Sequence, residues 1–237
     1  MADLPPQLPH GQLREVFPAI FFVTGQTRPN FGEQWQFSRN MTVLRDGQDL
    51  TLINTLRLDD AGLASLEALG SVKHIVKLGS FHGRDDAFYV RRYGPEVWAP
   101  AGMPHERGVK TTRELRHGEP GPVTGSSTFV FNTPNALEAV LRLDREGGVL
   151  VTCDSIQNMQ EADEYFDELT AERMAAMGFL AKANLGPGWL TQGKPSASDF
   201  DALDSLSFRH ILSAHGKPLL DDAKPALKTS VDAALRG

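Results

Sequence analysis

Side chains that hold metals or move protons recur in this chain directly after short apolar runs. His82, Asp85 and Asp86 follow "HIVKLG" (74–79) in the stretch "SFHGRDDAF". Asp154 closes "GGVLVTCD" (147–154), and His215 with Gly216 follows "HILSA" (210–214). Imidazole nitrogen and carboxylate oxygen together suit zinc, iron or manganese, whose charge the carboxylates partly neutralise. If a helix starts near residue 82, His82 and Asp86 lie one turn apart and face the same way. Each residue taken singly has an ordinary account. Asp85 and Asp86 can be carboxylates at a helix N-terminus, Asp154 a turn or cap residue, and His215 a hydrogen-bonded turn residue. The repeated placement after a strand favours chemistry, because layered α/β folds build their sites at the carboxyl ends of strands.

The elements that must position these residues are legible from apolar spacing and turn residues. "AIFFVTG" (19–25) reads as a strand, and "MTVLRDGQDLTLINT" (41–55) as a hairpin around Asp46-Gly47. A helix is expected over 58–71, with an acidic first turn and Gly70 as its stop. A buried strand (73–79), a helix (84–93) and a strand (96–100) come next. Residues 101–126, rich in Gly, Pro and charge, read as a surface excursion. A second strand group spans 127–133, 138–144 and 147–154. The rest reads as a helix over 160–181, a loop over 184–198, a short helix from 198, a strand at 210–214 and a closing helix over 221–235. Strands followed by helices in both halves point to strand layers covered by helices. Residues 1–15, proline-rich at their start, are expected to form a flexible arm before one domain over 16–237.

Composition narrows the functions. The chain has 237 residues, 41% of them hydrophobic, enough for a real core. Twenty-four basic against thirty acidic residues give a net charge of −6, and the basic residues are scattered. Nucleic acid is therefore not expected as a partner. No apolar run reaches the roughly 18 residues that span a bilayer, and "MADLPPQLPHGQLREVF" does not read as a secretion signal. One cysteine, Cys153, fits a reducing compartment, so a cytoplasmic protein is expected. Cys153 itself reads as a small buried residue at a strand end. His74 and His210 read as structural, and His105 and His117 as exposed. Trp189 is either a lid residue or a core anchor.

The order of these motifs resembles the metallo-β-lactamase superfamily. "SFHGRDDAF" looks like that family's first metal motif, H-x-H-x-D-H after a strand. Asp154 in "VLVTCDS" looks like its bridging aspartate, and His215 in "LSAHGKP" like its last histidine before the final helix. "FNTPNALEAVLRLDREGGVLVTCDS" is similar to its Thr-Pro-Gly-His turn with the strands that follow. The resemblance implies a four-layer αββα sandwich and a metal-dependent hydrolase of a small ester, thioester or lactone. It carries the metal-ligand role to His82, Asp86, Asp154 and His215, and the catalytic role to Asp85 and Asp86. Ser80, Ser155 and Asn158 are expected behind the ligands. The first motif has one clear histidine where the family has three, and the fourth histidine's place falls at Asn135-Ala136. The implied site is thus reduced to one divalent ion, zinc first with iron or manganese as alternatives. The alternative is a relative with no metal that acts as a binding or scaffold protein. A small-molecule substrate and no membrane partner are expected, and a homodimer is compatible with the arm.

Overall fold

The computed structural model describes residues 4–237. Two sheets face each other, with helices on both outer faces. The first sheet has seven strands in chain order: β1 (Arg14–Phe17), β2 (Ile20–Thr27), β3 (Phe37–Asp46), β4 (Asp49–Ile53), β5 (Ser71–Val76), β6 (Glu96–Pro100) and β7 (Arg113–Leu115). It begins antiparallel through β4 and continues parallel from β4 to β7. The helices α1 (Asp60–Leu69) and α2 (Asp86–Tyr93) cross over between its parallel strands. The second sheet uses β8 (Ser126–Val130), β9 (Ala139–Leu143) and β10 (Val149–Thr152). A small pair, β11 (Gln157–Met159) and β12 (Ala181–Asn184), stands apart from both sheets. Four helices follow β11: α3 (Glu168–Ala176), α4 (Pro187–Gly193), α5 (Ala197–Asp204) and α6 (Ala223–Leu235). The last strand, β13 (His210–Ser213), completes the second sheet in the order β13-β10-β9-β8.

The period-2 alternation of each strand divides its side chains between two cores. Ile20, Phe22, Leu44, Ile53, Val76 and Leu78 meet Leu141, Leu143, Val149, Val151 and Leu212 between the sheets. On the far side of the first sheet, Val23, Met41, Val43 and Leu52 pack with Leu63 and Leu66 of α1 and Tyr89 of α2. On the far side of the second, Val140, Leu150 and Ile211 pack with Trp189, Phe200, Leu203, Leu227 and Val231. Helix, sheet, sheet, helix is the expected αββα sandwich.

Several elements differ from their sequence-based expectation. The excursion contains β7, which pairs in parallel with β6; only Leu115 of its three residues is buried, so no alternation announced it. The expected helix over 160–181 is confined to α3, because the Asp167 side chain accepts from Thr170 N–H and sets the start there. The expected loop at 184–198 holds α4, with Pro187 in its first turn. Within it Trp189 is a core anchor rather than a lid. It is 1% exposed, packs edge-on to Phe131 at 4.9 Å, and donates from Nε1 to the Ala136 carbonyl at 2.9 Å. Of the arm expected over 1–15, residues 1–3 lie outside the described residues. The remainder runs along β2: Gln26 N–H donates to Pro9 O and Gly11 N–H to Thr24 O, both at 2.8 Å.

Candidate metal centre

Three chain segments converge where the strands of both sheets end. β10 and β13 are parallel neighbours with Thr152 opposite Ser213. Asp154 and His215 each lie two residues further on, so the register alone places them side by side. His82 comes from the first sheet. Beyond β5 the chain crosses to β9, with Ala139 N–H donating to Leu78 O at 2.9 Å and Ser80 N–H to Leu137 O at 3.0 Å. That crossing ties the two sheets together at one corner and delivers the next residues to the ends of β10 and β13.

The resulting geometry is a triangle of metal-competent atoms. His82 Nε2 and His215 Nε2 are 3.1 Å apart. Asp154 Oδ2 is 3.4 Å from His82 Nε2, and its Oδ1 is 3.3 Å from His215 Nε2. His215 Nδ1 lies 3.1 Å from the Ser38 carbonyl, which can only accept, so Nδ1 carries a proton and Nε2 is the ring nitrogen left to serve as a ligand. Four-coordinate zinc with bonds of 2.0–2.1 Å needs donors about 3.3 Å apart, which these edges match. Cys153 joins the group: its sulfur and the donor atoms of His82 and Asp154 lie within 4.8 Å of one another. All three triangle residues are buried, at 8%, 8% and 5% exposure for His82, Asp154 and His215.

Protonation suits a cation. Burial works to raise the Asp154 carboxyl, but the facing imidazoles of His82 and His215 outweigh it and hold it well below the usual carboxylate range. Burial pushes His82 down against the opposing pull of Asp154, so the imidazole is neutral at neutral pH. Burial, then the Asp154 and Glu138 carboxylates, pushes the Cys153 thiol well up, and its S–H donates to Asp154 Oδ2 at 3.4 Å. Buried atoms without a hydrogen-bond partner collect nearby: Ser80 Oγ, His82 Nδ1 and Ser155 Oγ.

A pH dependence follows for the chelated, metal-free protein. The folded state holds His82 neutral to lower pH than the unfolded chain, whose imidazole titrates near 6.5. Between the folded and unfolded values the unfolded state binds more protons, so stability rises with pH there. The His82 contribution is therefore complete above about pH 6.5 and lost as pH falls through the lower folded value. Thermal midpoints at pH 7.5 and 5.5 are expected to differ more in wild type than in His82→Gln; equal differences would contradict this account of His82.

The other candidates fall elsewhere. Both oxygens of Asp85 are engaged in ion pairs. Its carboxylate pairs with Arg39 and Arg84 and accepts from Arg57 N–H at 2.8 Å. Asp86 opens α2 and accepts from Thr55 Oγ1 at 2.6 Å; its other oxygen is buried without a partner, and burial raises its pKa. Among the described residues, the His/Cys/Asp group whose ligand atoms converge within 4.8 Å is His82, Cys153 and Asp154, which contains neither Asp86 nor His215; His215 joins the site through its contacts with His82 and Asp154. Ser80 or Arg84, and Asn135-Ala136, stand where the resemblance places the other ligands, and the Ala136 carbonyl is taken by Trp189. Asn158 holds the His215 turn, with its N–H donating to His215 O at 3.1 Å and its Nδ2 to Lys217 O at 2.8 Å. His210 is occupied away from the site by Glu146 O and Asp221 N–H.

Two residues were not singled out from sequence. Asn40, on β3, donates from Nδ2 to Ser213 O at 2.9 Å and to Gly216 O at 2.7 Å, fastening the His215 turn to the first sheet. Glu138 sits fully buried behind Asp154 and accepts from the backbone of that turn. Gly216 completes the turn with φ of +84°, and an added Cβ would stand 2.0 Å from Asn158 O. Gly216→Ala is expected to cost about 2 kcal/mol or more, read as a lowered urea midpoint. An unchanged midpoint would mean the turn is not held as described.

No protein-family model matches the chain, and no curated protein matches it. Solved structures do. DIM-1 metallo-beta-lactamase exposed to ceftazidime aligns with a TM-score of 0.62 at 16% identity, covering 97% of this chain and 100% of that one. A metallo-beta-lactamase from Hirschia baltica aligns at 0.59 and 14% identity, covering 94% and 96%. The mono-zinc form of FIM-1 from Pseudomonas aeruginosa aligns at 0.55 and 13% identity, covering 97% and 98%. With two facing sheets, outer helices and near-complete alignment, this chain has the metallo-β-lactamase fold.

Proposed function

We propose that the protein is a metal-dependent hydrolase with a reduced, mononuclear site held by His82, Asp154 and His215. The observation that carries this reading is the triangle of metal-competent atoms at 3.1–3.4 Å, drawn from three separate strand ends. Ligand atoms this close are held either by ring protons shared between them or by a cation, and a cation bound by all three replaces those protons. When bound, the ion would polarise a substrate carbonyl and make a water nucleophilic at neutral pH.

The chain's own residues do the rest. Ser38 O fixes the His215 tautomer, and Asn40 and Asn158 fix the turn that carries it. Asp154 supplies the one negative charge of the triangle. Asp85 keeps the ligand loop in place through Arg39 and Arg84. Asp86, with one unpartnered oxygen, keeps the proton-handling role that the first motif assigns it. Zinc is the first candidate; two histidines and one carboxylate also suit iron or manganese. The substrate class is a small ester, thioester or lactone, and the compartment is cytoplasmic. No helix among the described residues is long and apolar enough to cross a membrane.

A second reading is a metal-free binding or scaffold protein of the same fold. The missing ligands of the first motif and at Asn135-Ala136 favour it. One experiment separates the two. Purified protein is stripped with chelator, refilled with zinc, iron(II) or manganese, and assayed on a panel of small esters, thioesters and lactones. Hydrolysis that disappears on stripping and returns with one ion supports the hydrolase. No uptake of any of the three ions supports the second reading; uptake without turnover keeps the metal site and contradicts the proposed substrate class.

A further inference from the structure

We propose that Glu138 is a positioning residue for the metal centre, acting through the backbone of the turn that carries Asp154. This rests on the metal reading above and names a residue that reading does not use. Glu138 is 1% exposed, yet it is a carboxylate followed by the apolar strand Ala139–Leu143. A buried carboxylate is costly unless its oxygens are satisfied, and an aliphatic side chain would be the cheaper choice in that setting. Its two oxygens take two consecutive amides. Oε2 accepts from Asp154 N–H at 3.1 Å and Oε1 from Ser155 N–H at 2.7 Å. A forked acceptor on adjacent amides fixes both the position and the tilt of the peptide between them, and so the direction in which the Asp154 side chain leaves the backbone.

Glu138 is itself held by both sheets. It bridges to Gly79, and its carbonyl accepts from Phe131 N–H at 3.1 Å. Gly79 makes room for the clamp: a Cβ there would stand 2.7 Å from Cys153 Sγ and 3.2 Å from Glu138 Oε2. The same segment continues from Gly79 to His82. Gly79, Glu138 and Asp154 thus form one connection between the first-sheet ligand and the second-sheet ligands. Loss of the carboxylate frees the Asp154 turn on the side facing β9 without removing any ligand side chain.

The test uses the full chain loaded with cobalt(II), with affinity read by chelator competition and ligand geometry by the visible absorption bands. Glu138→Gln keeps one acceptor oxygen; Glu138→Leu keeps none. Affinity is expected to fall about tenfold in the first and about a hundredfold in the second, the range measured when partners behind metal ligands are lost. The cobalt bands are expected to shift in Glu138→Leu and to be partly restored in Glu138→Gln. Wild-type affinity and bands in Glu138→Leu, with only a lower thermal midpoint, would overturn the proposal and make Glu138 a purely structural residue. If Glu138→Leu does not fold, Glu138→Gln decides alone, a wild-type affinity and spectrum overturning it. A wild-type protein that takes up no cobalt overturns the metal reading, and this inference with it.

Discussion

Asp154→Ala is expected to lower metal affinity by about 10²–10³-fold and to remove metal-dependent hydrolysis with it. The size follows from structural zinc sites, whose apparent binding free energy of about 10–16 kcal/mol over four ligands is about 2.5–4 kcal/mol per ligand. Asp154 is also the only ionised donor of the triangle, facing both imidazoles at 3.3–3.4 Å. Its loss removes a ligand and the charge that offsets the cation. Equilibrium dialysis against a chelator of known affinity measures the effect. An Asp154→Ala protein that binds metal as tightly as wild type would mean the ion sits elsewhere.

Asp85→Ala is expected to destabilise the fold by about 3–5 kcal/mol, the range for removing one partner of a buried ion pair. Arg39 is 4% exposed and pairs with Asp85, whose carboxylate also meets Arg84 and an amide of the loop before α1. Without Asp85, the Arg39 cation is buried with no compensating charge from that side. Urea denaturation of the metal-free protein gives the value. The alternative role, a proton-transferring base, predicts the opposite pattern: a stable, metal-loaded, inactive protein. Stability within about 0.5 kcal/mol of wild type would therefore move Asp85 from the ion-pair chain back to the chemistry.

The contrast between Asp85 and Asp154 shows what a sequence reveals about such a site. Asp154 and His215 were legible because each follows an apolar run that can only be a buried strand, and parallel register then brings them together. His82 was legible for the same reason, at the exit of β5. Asp85 looked equally competent, since adjacency to a histidine in "HGRDD" says nothing about which way a carboxylate turns. Its direction is decided by Arg39, 46 residues away on another strand. Glu138 was invisible for a related reason. In "NALEAVLRL" a glutamate reads as the solvent side of an element, and only the meeting of β9 with the exit of β5 buries it. The layers were legible from strand alternation and helix stops, whereas β7 and α4 were not. β7 buries one residue of three, and α4 lies in a stretch whose glycines and proline read as loop.

The most direct test of the central claim is the metal content of the purified protein by plasma mass spectrometry. Wild type is compared with an Asp154→Ala, His215→Ala double variant, both as isolated and after refilling with zinc, iron(II) or manganese. One ion per chain in wild type and none in the variant is the result this account predicts. No ion in wild type after refilling, or equal metal in both proteins, would contradict it.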